Sequence, residues 1–263
     1  MIGIVGLGKI GNYVLSGIID KNLYSKDDVL LGLRRIEAKK EYEEKGYLTT
    51  LDLNTLFLKC NVIVLSVKPQ NYDTIISYSR NIDFKNKCII STIAGIDLET
   101  IQGDFKNGSI YRVMPNIGAA LGKSVTTLCY TEKDELFETA KKVFETIGSV
   151  VEVNEYTLDK SVPLNGSMPA FIYMFIKDFI DVSVKNGLDY ETSKNLILDT
   201  IVSSVEYYKE SDKKINDLII DVCSKGGITI AGLNEMYKNG FDDSIRACYQ
   251  ACLKRSDELK YKK

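Results

Sequence analysis

At 263 residues, the chain is longer than a typical single domain, which predicts two domains or one large one. Its apolar share of 44%, charged share of 27% and net charge of −2 are typical of a globular protein and offer no long-range attraction to nucleic acid. Histidine is absent, which excludes Ser-His-Asp and Cys-His catalytic units as well as histidine-ligated zinc. We therefore expect proton transfer to use a hydroxyl, a carboxylate, a lysine, a tyrosine or water.

Neither the start of the chain nor its apolar runs indicate a membrane protein. A strand is predicted from Ile2, which leaves no charged-then-apolar leader pattern, and the longest apolar run, around Met168 to Ile176, is too short to span a bilayer. The six cysteines (positions 60, 88, 129, 223, 248 and 252) lack metal-ligand spacing and are expected to be packed, reduced thiols. The expectation is a cytoplasmic protein without a metal site, a nucleic-acid partner or a membrane anchor.

The N-terminal residues carry the first specific motif. A short apolar strand, Ile2–Val5, is followed by three glycines with G-x-G-x-x-G spacing, and helical periodicity then continues to about Asp20. In this context the glycines allow a tight turn, a close approach of the backbone to a pyrophosphate, and packing of the helix on the strand. The alternative is a merely tight strand–helix turn. The predicted cofactor-binding residues here are Gly6, Leu7, Gly8, Lys9, Ile10 and Gly11.

A second predicted strand, Val29–Leu33, ends in Arg34 and Arg35. In a dinucleotide-binding fold, the residue after this strand contacts the adenosine ribose; an acid there suits NAD, whereas arginine suits the 2′-phosphate of NADP. The two arginines therefore favour NADPH, with NADH as the alternative cofactor. A structural alternative is that they form the solvated start of the next helix, Ile36–Lys45.

Strands and helices alternate as far as Val153, which predicts a doubly wound α/β domain over residues 1–154. The segment from Gly118 to Ser124 resembles a phosphate-binding P-loop but has three instead of four residues between its glycines, so no phosphate is expected there. The further predicted strands are Val62–Val67, Cys88–Thr92, Tyr111–Val113, Ser124–Cys129 and Val150–Val153; the helices are Leu51–Lys59, a short one capped by Asp97, and one from about Lys133 to Ile147.

Residues 155–263 are predicted to form an all-α domain, because strand patterns stop and long helical patterns take over: Ala170–Lys185, Tyr190–Lys209 and Asp242 to about Leu259. The first of these helices is apolar over much of its surface, and a domain of this size cannot cover such a helix by itself. We therefore expect a homo-oligomer, at least a dimer. The apolar side chains are Phe171, Ile172, Met174, Phe175, Ile176, Phe179 and Ile180.

A second glycine-rich segment lies between helical patterns, from Cys223 to Gly232. Paired glycines let backbone N–H groups converge, and a helix that begins near Thr229 would add its own free donors. The hydroxyls of Ser224 and Thr229 complete a nest for a small carboxylate. The alternative is a tight interhelical turn.

Taken together, these motifs resemble the pyrroline-5-carboxylate reductase family along the whole chain. Besides the N-terminal glycines, the matching segments are Val67-Lys68-Pro69, Thr92-Ile93-Ala94-Gly95, Met114-Pro115-Asn116, Asn165-Gly-Ser-Met-Pro-Ala170 and Ser224-Lys-Gly-Gly-Ile-Thr-Ile-Ala-Gly-Leu233. The resemblance implies a Rossmann domain followed by a helical dimerisation domain, and NAD(P)H-dependent reduction of 1-pyrroline-5-carboxylate to L-proline.

The resemblance also implies roles for individual residues. Thr229 is expected to be catalytic, as a hydrogen-bond or proton donor near the imine nitrogen. The substrate carboxylate is expected on Ser224, Gly226, Gly227, Ile228 and Thr229. The nicotinamide side of the cofactor site is expected to include Ser66, Val67, Lys68, Pro69, Thr92, Ile93 and Ala94, and Asn54 is expected to contact the cofactor after a one-residue shift.

Four positions depart from the family pattern: Asn165 replaces a usual serine, Met168 a glycine, Asp221 an asparagine, and Leu53 an asparagine. These departures leave two alternatives to the proline-forming reaction: the protein could reduce a related cyclic imine, or it could be a non-catalytic, cofactor-sensing regulatory protein on the same scaffold. A β-hydroxyacid dehydrogenase is a further alternative, but that family needs a lysine followed four residues later by asparagine, and here Lys177 is followed by Asp181.

Overall fold

The computed structural model describes residues 1–260 and divides into two compact units. The first comprises Met1–Ser167 together with the end of the chain from Cys252, and the second comprises Met168–Ala251. The sequence predicts a boundary after Asn154, whereas helix α7 (Glu155–Ser161) lies in the first unit because Leu158 is buried in its core. Residues 261–263 of the predicted second domain lie outside the described residues.

The first unit contains one eight-stranded sheet with the order β3-β2-β1-β4-β5-β6-β7-β8. All neighbouring strands are parallel except β6 and β7, so the predicted doubly wound α/β fold is confirmed. The three-residue edge strand β3 was not predicted from the sequence, because it is too short to show a pattern. The strands are β1 (Ile2–Val5), β2 (Val29–Gly32), β3 (Leu48–Thr50), β4 (Val62–Leu65), β5 (Cys88–Ser91), β6 (Ser109–Met114), β7 (Ser124–Tyr130) and β8 (Gly148–Glu152).

Twelve α-helices are present in the described part of the chain. As predicted, Asp97 caps a short helix, where its carboxylate accepts a hydrogen bond from the backbone N–H of Thr100 at 2.8 Å. Besides α7, the helices are α1 (Lys9–Asp20), α2 (Ile36–Glu44), α3 (Leu53–Lys59), α4 (Tyr72–Ser79), α5 (Leu98–Asp104), α6 (Phe137–Glu145), α8 (Met168–Lys185), α9 (Tyr190–Glu210), α10 (Ile215–Val222), α11 (Ile228–Lys238) and α12 (Phe241–Glu258).

Alternate residues of each central strand enter two separate apolar cores, one on each face of the sheet. On β4, for example, Val62 and Val64 join the core that α1 and α6 cover, whereas Ile63 and Leu65 join the core that α3, α4, α5 and α7 cover. This is why the strand sequences are continuously apolar instead of alternating. In the second core, the rings of Phe57, Phe84 and Phe105 pack edge to face, with centroids 5.0 to 5.8 Å apart.

A buried charge fixes α7 on the sheet. Arg112 of β6 is only 4% exposed, and its guanidinium donates to the carboxylates of Glu155 and Asp159, each at 2.8 Å. Asp159 also pairs with Lys260 at 3.3 Å, and Glu155 accepts the backbone N–H of Leu98 at 2.8 Å. Loss of the arginine would leave Glu155 without a cation among the described residues and Asp159 with Lys260 alone, both in partly buried positions.

The second unit has almost no core of its own. Among its described residues, only Ile180 and Ser193 are buried. Apolar side chains are instead exposed along α8 and α9, and the rings of Phe175 and Phe179 pack on each other with centroids 4.7 Å apart. No helix among the described residues is both long enough and apolar enough to cross a bilayer. The unit therefore leaves an extended apolar surface uncovered.

The Arg112 network predicts a large effect of one substitution on stability. Arg112→Met should lower the free energy of unfolding by about 3 kcal/mol, because two partly buried carboxylates lose the arginine and only Asp159 keeps a cation, Lys260. Chemical denaturation measures this effect. As a control, Lys141→Ala removes an exposed helical pair with Glu145 and should cost less than about 0.5 kcal/mol. Equal effects of the two substitutions would contradict this account.

Candidate functional site

The N-terminal glycines form the close turn that the motif predicts. Gly6 has a φ of +90°, and a Cβ placed there would lie 2.5 Å from the carbonyl oxygen of Ser66. A Cβ on Gly11 would lie 2.1 Å from the carbonyl oxygen of Gly6. A Cβ on Gly8 would meet nothing within 4 Å, so this glycine faces open space at the start of α1. The turn thus leaves room for an anion where the helix N-terminus offers free N–H groups.

Asn12, one turn into α1, holds this turn in place. Its side-chain amide donates to the carbonyl oxygens of Leu7 and Gly8 at 2.8 and 3.0 Å, and its Oδ1 accepts from the hydroxyl of Tyr42 at 2.6 Å. Sequence reasoning missed this residue, since nothing in the glycine spacing distinguishes it from other polar helix positions.

A cleft of about 650 Å³ opens at the carboxyl ends of the central parallel strands. In doubly wound sheets, this edge is where ligands bind. The sequence-predicted residues in the cleft wall are Gly6, Leu7, Gly8, Arg34, Arg35, Ser66, Val67 and Lys68. The wall also contains residues that were not predicted to bind, among them Leu51, Leu53, Asn71, Thr74, Ile75 and Tyr78.

The two arginines carry positive charge into this cleft. Arg34 donates to Oδ1 of Asn71 at 3.3 Å, and neither guanidinium forms a salt bridge with a described residue. Glu41, which also lines the cleft, is held instead by Lys45, whose hydrogen bond keeps the pKa of this carboxyl below its usual value. The charge of the arginines is therefore available to a phosphate, which favours NADP over NAD.

Several predicted cofactor residues lie beside the cleft wall and not in it. Lys9, Ile10 and Gly11 form the first turn of α1, and Pro69 begins a 3₁₀ turn directly after Lys68. Asn54 is exposed in the first turn of α3, where Asp52 accepts its backbone N–H, while its neighbour Leu53 lines the cleft.

The segment Thr92, Ile93 and Ala94 follows β5 at the same edge of the sheet. Thr92 is bonded to the carbonyl oxygen of Leu65 through its backbone N–H at 2.9 Å and its hydroxyl at 3.2 Å, and Ile93 is buried. The segment ends at Gly95, where a Cβ would lie 2.6 Å from the carbonyl oxygen of Leu259. These contacts hold the segment in a defined position.

The second glycine-rich segment joins α10 to α11 within the second unit. Gly226 has a φ of +73°, and the backbone N–H of Gly227 donates to the carbonyl oxygen of Ser224 at 2.9 Å. A Cβ on Gly227 would lie 2.3 Å from Oγ of Ser224, so a side chain there would force this hydroxyl to rotate away. The segment is thus a tight turn between two helices, in which the N–H of Gly227 is used within the turn.

The first turn of α11 offers donors without internal partners. No side chain caps this helix, and its first turn contains no acidic residue. Ile228 and Thr229 are exposed, and no hydrogen bond to the hydroxyl of Thr229 or Ser224 is found among the described residues. Nearby, Asp221 pairs with Lys213 at 2.6 Å, which neutralises the charge that replaces the family's usual asparagine. The turn can therefore accept a carboxylate.

A doubly wound sheet with a glycine turn and two arginines that form no salt bridge with a described residue is characteristic of an NADP-binding oxidoreductase. Residues 1–95 match a family model described as NADP oxidoreductase, coenzyme F420-dependent, and residues 155–259 match one described as pyrroline-5-carboxylate reductase dimerisation. Pyrroline-5-carboxylate reductase 2 of Bacillus subtilis is 32% identical, over 98% of this chain and 95% of its own, and the reductase of Synechocystis is 31% identical, over 98% and 97%. The chain belongs to the pyrroline-5-carboxylate reductase family.

Solved structures agree with this family assignment. The 1-pyrroline-5-carboxylate reductase of Streptococcus pyogenes is 27% identical with a TM-score of 0.86, and the match covers 98% of both chains. The pyrroline carboxylate reductase of Plasmodium falciparum, solved with NADP bound, has the same identity and TM-score, and the match covers 99% of this chain and 98% of that one.

The free arginines predict the cofactor preference. Arg34→Ser combined with Arg35→Ser should weaken NADPH binding about tenfold or more, because a charge-assisted contact to the 2′-phosphate is lost. NADH binding should change less than about twofold. Calorimetric titration measures both dissociation constants. Lys40→Ser, which removes a cation of α2 outside the cleft wall, is the matched control. Equal losses for the two cofactors would contradict the assignment.

Proposed function

We propose that this chain is an NADPH-dependent reductase that converts 1-pyrroline-5-carboxylate to L-proline. The observation that carries the proposal is the near full-length family match of a chain whose cleft fits NADP. The reaction adds a hydride to the ring carbon and a proton to the nitrogen of a C=N bond. NADPH supplies the hydride when it is bound. The residues of the chain bind and orient the cofactor and the substrate, and they donate a hydrogen bond or a proton to the ring nitrogen.

The cofactor residues are assigned from the shape and charge of the cleft. The turn Gly6–Gly11 fits the pyrophosphate, because Gly8 leaves open space at the N-terminus of α1. Arg34 and Arg35 would hold the 2′-phosphate. Ser66–Pro69 and Thr92–Ala94 follow neighbouring parallel strands at one edge, which suits the two sides of a nicotinamide ring. We keep Asn54 as a proposed contact, although Leu53 is its neighbour in the cleft wall.

The substrate carboxylate is assigned to the turn between α10 and α11. Backbone N–H groups of Gly226 and Ile228, with the hydroxyls of Ser224 and Thr229, would bind it, and Gly227 would complete the turn through its hydrogen bond to Ser224. The support is electrostatic: the uncapped N-terminus of α11 carries a partial positive charge and no acid in its first turn.

Thr229 is the proposed catalytic residue, as a hydrogen-bond or proton donor to the imine nitrogen. A cyclic imine that is protonated in solution is already electrophilic, so alignment of its carbon with the hydride donor is the main requirement. A hydroxyl can supply the hydrogen bond or the proton that the ring nitrogen still requires, which is consistent with a chain that contains no histidine.

The alternatives are weaker. Lys177, the lysine that a β-hydroxyacid dehydrogenase would use, instead forms an exposed ion pair with Asp181 at 2.7 Å on the surface of α8. A non-catalytic cofactor sensor was suggested by Met168 and Asp221, but Lys213 neutralises the charge of Asp221. The cytoplasmic location stays a prediction.

Turnover is the direct test of the proposed function. The purified protein should oxidise NADPH in the presence of 1-pyrroline-5-carboxylate and form L-proline. Thr229→Ala should lower kcat by about a hundredfold, because the hydrogen bond that aligns the ring nitrogen is lost, with an unchanged dissociation constant for NADPH. Thr229→Ser should retain activity, and Thr157→Ala, at an exposed position of α7, is the control. NADPH binding without oxidation would instead support the sensor.

We also propose that the helical unit assembles with a second copy of the chain. Phe175, Phe179 and Val182 of α8 and Leu196 and Val202 of α9 are exposed apolar side chains in a unit that buries only Ile180 and Ser193 of its described residues. Monomeric proteins rarely expose so much contiguous apolar surface. The description of the family model that matches residues 155–259 includes the word dimerisation, which supports assembly with a second copy.

The dimer makes a prediction about size in solution. Analytical ultracentrifugation should give at least twice the mass of one chain, and Phe179→Glu should produce monomers or unfolded protein, because it places a charge in the proposed interface. Leu121→Glu, at an exposed apolar position of the first unit, should leave the mass unchanged. A monomeric wild type at micromolar concentration would contradict the assignment.

A further inference from the structure

A buried amide anchors the segment through which the chain leaves the first unit. Asn165 is only 5% exposed, two residues before the unit ends at Ser167. Its Nδ2 donates to the backbone carbonyl oxygen of Met114 at 2.6 Å, and its Oδ1 accepts from Nδ2 of Asn116 at 3.0 Å. Its backbone N–H donates to the carbonyl oxygen of Ser161 at 2.9 Å. One side chain thus fixes the exit segment to the residues that follow β6.

Asn116 is itself held by its neighbours. Its Oδ1 accepts the backbone N–H of Gly118 at 3.0 Å, and its own backbone N–H donates to Oγ of Ser124 at 3.1 Å. That hydroxyl is hydrogen-bonded to Oγ1 of Thr126 at 3.1 Å, and both hydroxyls are buried. The two asparagines therefore belong to a continuous network that reaches the sheet, and such buried networks are rigid when all members are paired.

The anchor lies at the edge of the sheet that forms the cofactor cleft. Met114 is the last residue of β6, and β6 runs parallel to β5. Its carboxyl end therefore faces the same side as the ends of β1, β4 and β5, after which Gly6, Ser66 and Thr92 follow. The exit of the chain towards α8 is thus attached at the edge where the nicotinamide is proposed to bind.

We propose that Asn165 is a positioning residue for hydride transfer, which acts by fixing the exit segment to the residues that follow β6 at the edge of the cofactor cleft. The inference rests on the proposed function, because it takes this edge of the sheet to hold the nicotinamide. An amide presents its donor and its acceptor on separate atoms, and here each atom is used. This dual use gives a structural reason for asparagine at a position where the family usually has serine.

The test compares Asn165→Leu with the wild-type enzyme. Leucine has a similar size but removes both side-chain hydrogen bonds. We expect kcat to fall about tenfold or more, since small errors in the alignment of reacting atoms are costly. The kinetic isotope effect with NADPH deuterated at C4 should rise, because hydride transfer becomes slower relative to the other steps. The dissociation constant of NADP⁺ should stay within about twofold, and that of L-proline for the NADP⁺ complex should rise several-fold.

Two further variants separate positioning from general stability. Asn165→Ser keeps a donor and an acceptor in one hydroxyl and should retain kcat within about threefold. Tyr111→Phe removes the buried hydrogen bond to Asp134, distant in sequence from the exit segment, and should lower the unfolding temperature without changing the isotope effect. If Asn165→Leu does not fold, Asn165→Ala, which also removes both side-chain hydrogen bonds and buries no charge, is tested by the same criteria.

The outcomes are distinguishable. If the wild type is active and the folded Asn165→Leu variant, or the variant that replaces it, matches the wild type in kcat, isotope effect and L-proline affinity, the positioning role is wrong and the reductase function stands. Equal kinetic losses in Tyr111→Phe would also overturn the positioning role. A wild type without turnover would overturn the reductase function and this inference together.

Discussion

The contact between Gly11 and Gly6 is the constraint on which the cofactor cleft depends. A Cβ on Gly11 would lie 2.1 Å from the carbonyl oxygen of Gly6, so any side chain there would push α1 away from β1. With glycine, the N-terminus of α1 stays against the edge of the sheet. The side-chain amide of Asn12 stabilises the turn by donating to the carbonyl oxygens of Leu7 and Gly8. The open space at Gly8, the free arginines and the neighbouring loops can then act on one bound dinucleotide.

The two units differ in how far their apolar residues are buried. In the first, both faces of the sheet are covered by helices of the same chain, and Arg112 fixes α7 through its shared carboxylates. In the second, the described residues bury only Ile180 and Ser193, and the apolar faces of α8 and α9 remain exposed. The first unit can therefore be stable by itself, whereas the second needs a partner surface.

Much of this architecture is predictable because its signals are local. The glycine spacing, the apolar strands and the arginines after β2 indicate the fold and the cofactor. Strand β3 is too short to show a pattern, and α7 is placed by its pairing with Arg112, which joins residues 43 positions apart. Asn71 and Tyr78 also line the cleft although no sequence pattern indicates it. Their position depends on how α4 packs on the sheet, which is a long-range contact.

The central claim is that the amino-terminal cleft and the diglycine turn act on the same reaction. A crystal structure with NADP⁺ and L-proline tests it most directly. The account predicts the nicotinamide beside Ser66–Pro69 and the proline carboxylate on the backbone N–H groups of Gly226 and Ile228, with the ring carbon facing C4 of the nicotinamide. L-Proline bound away from that turn, or a cleft that stays empty at saturating NADP⁺, would contradict it.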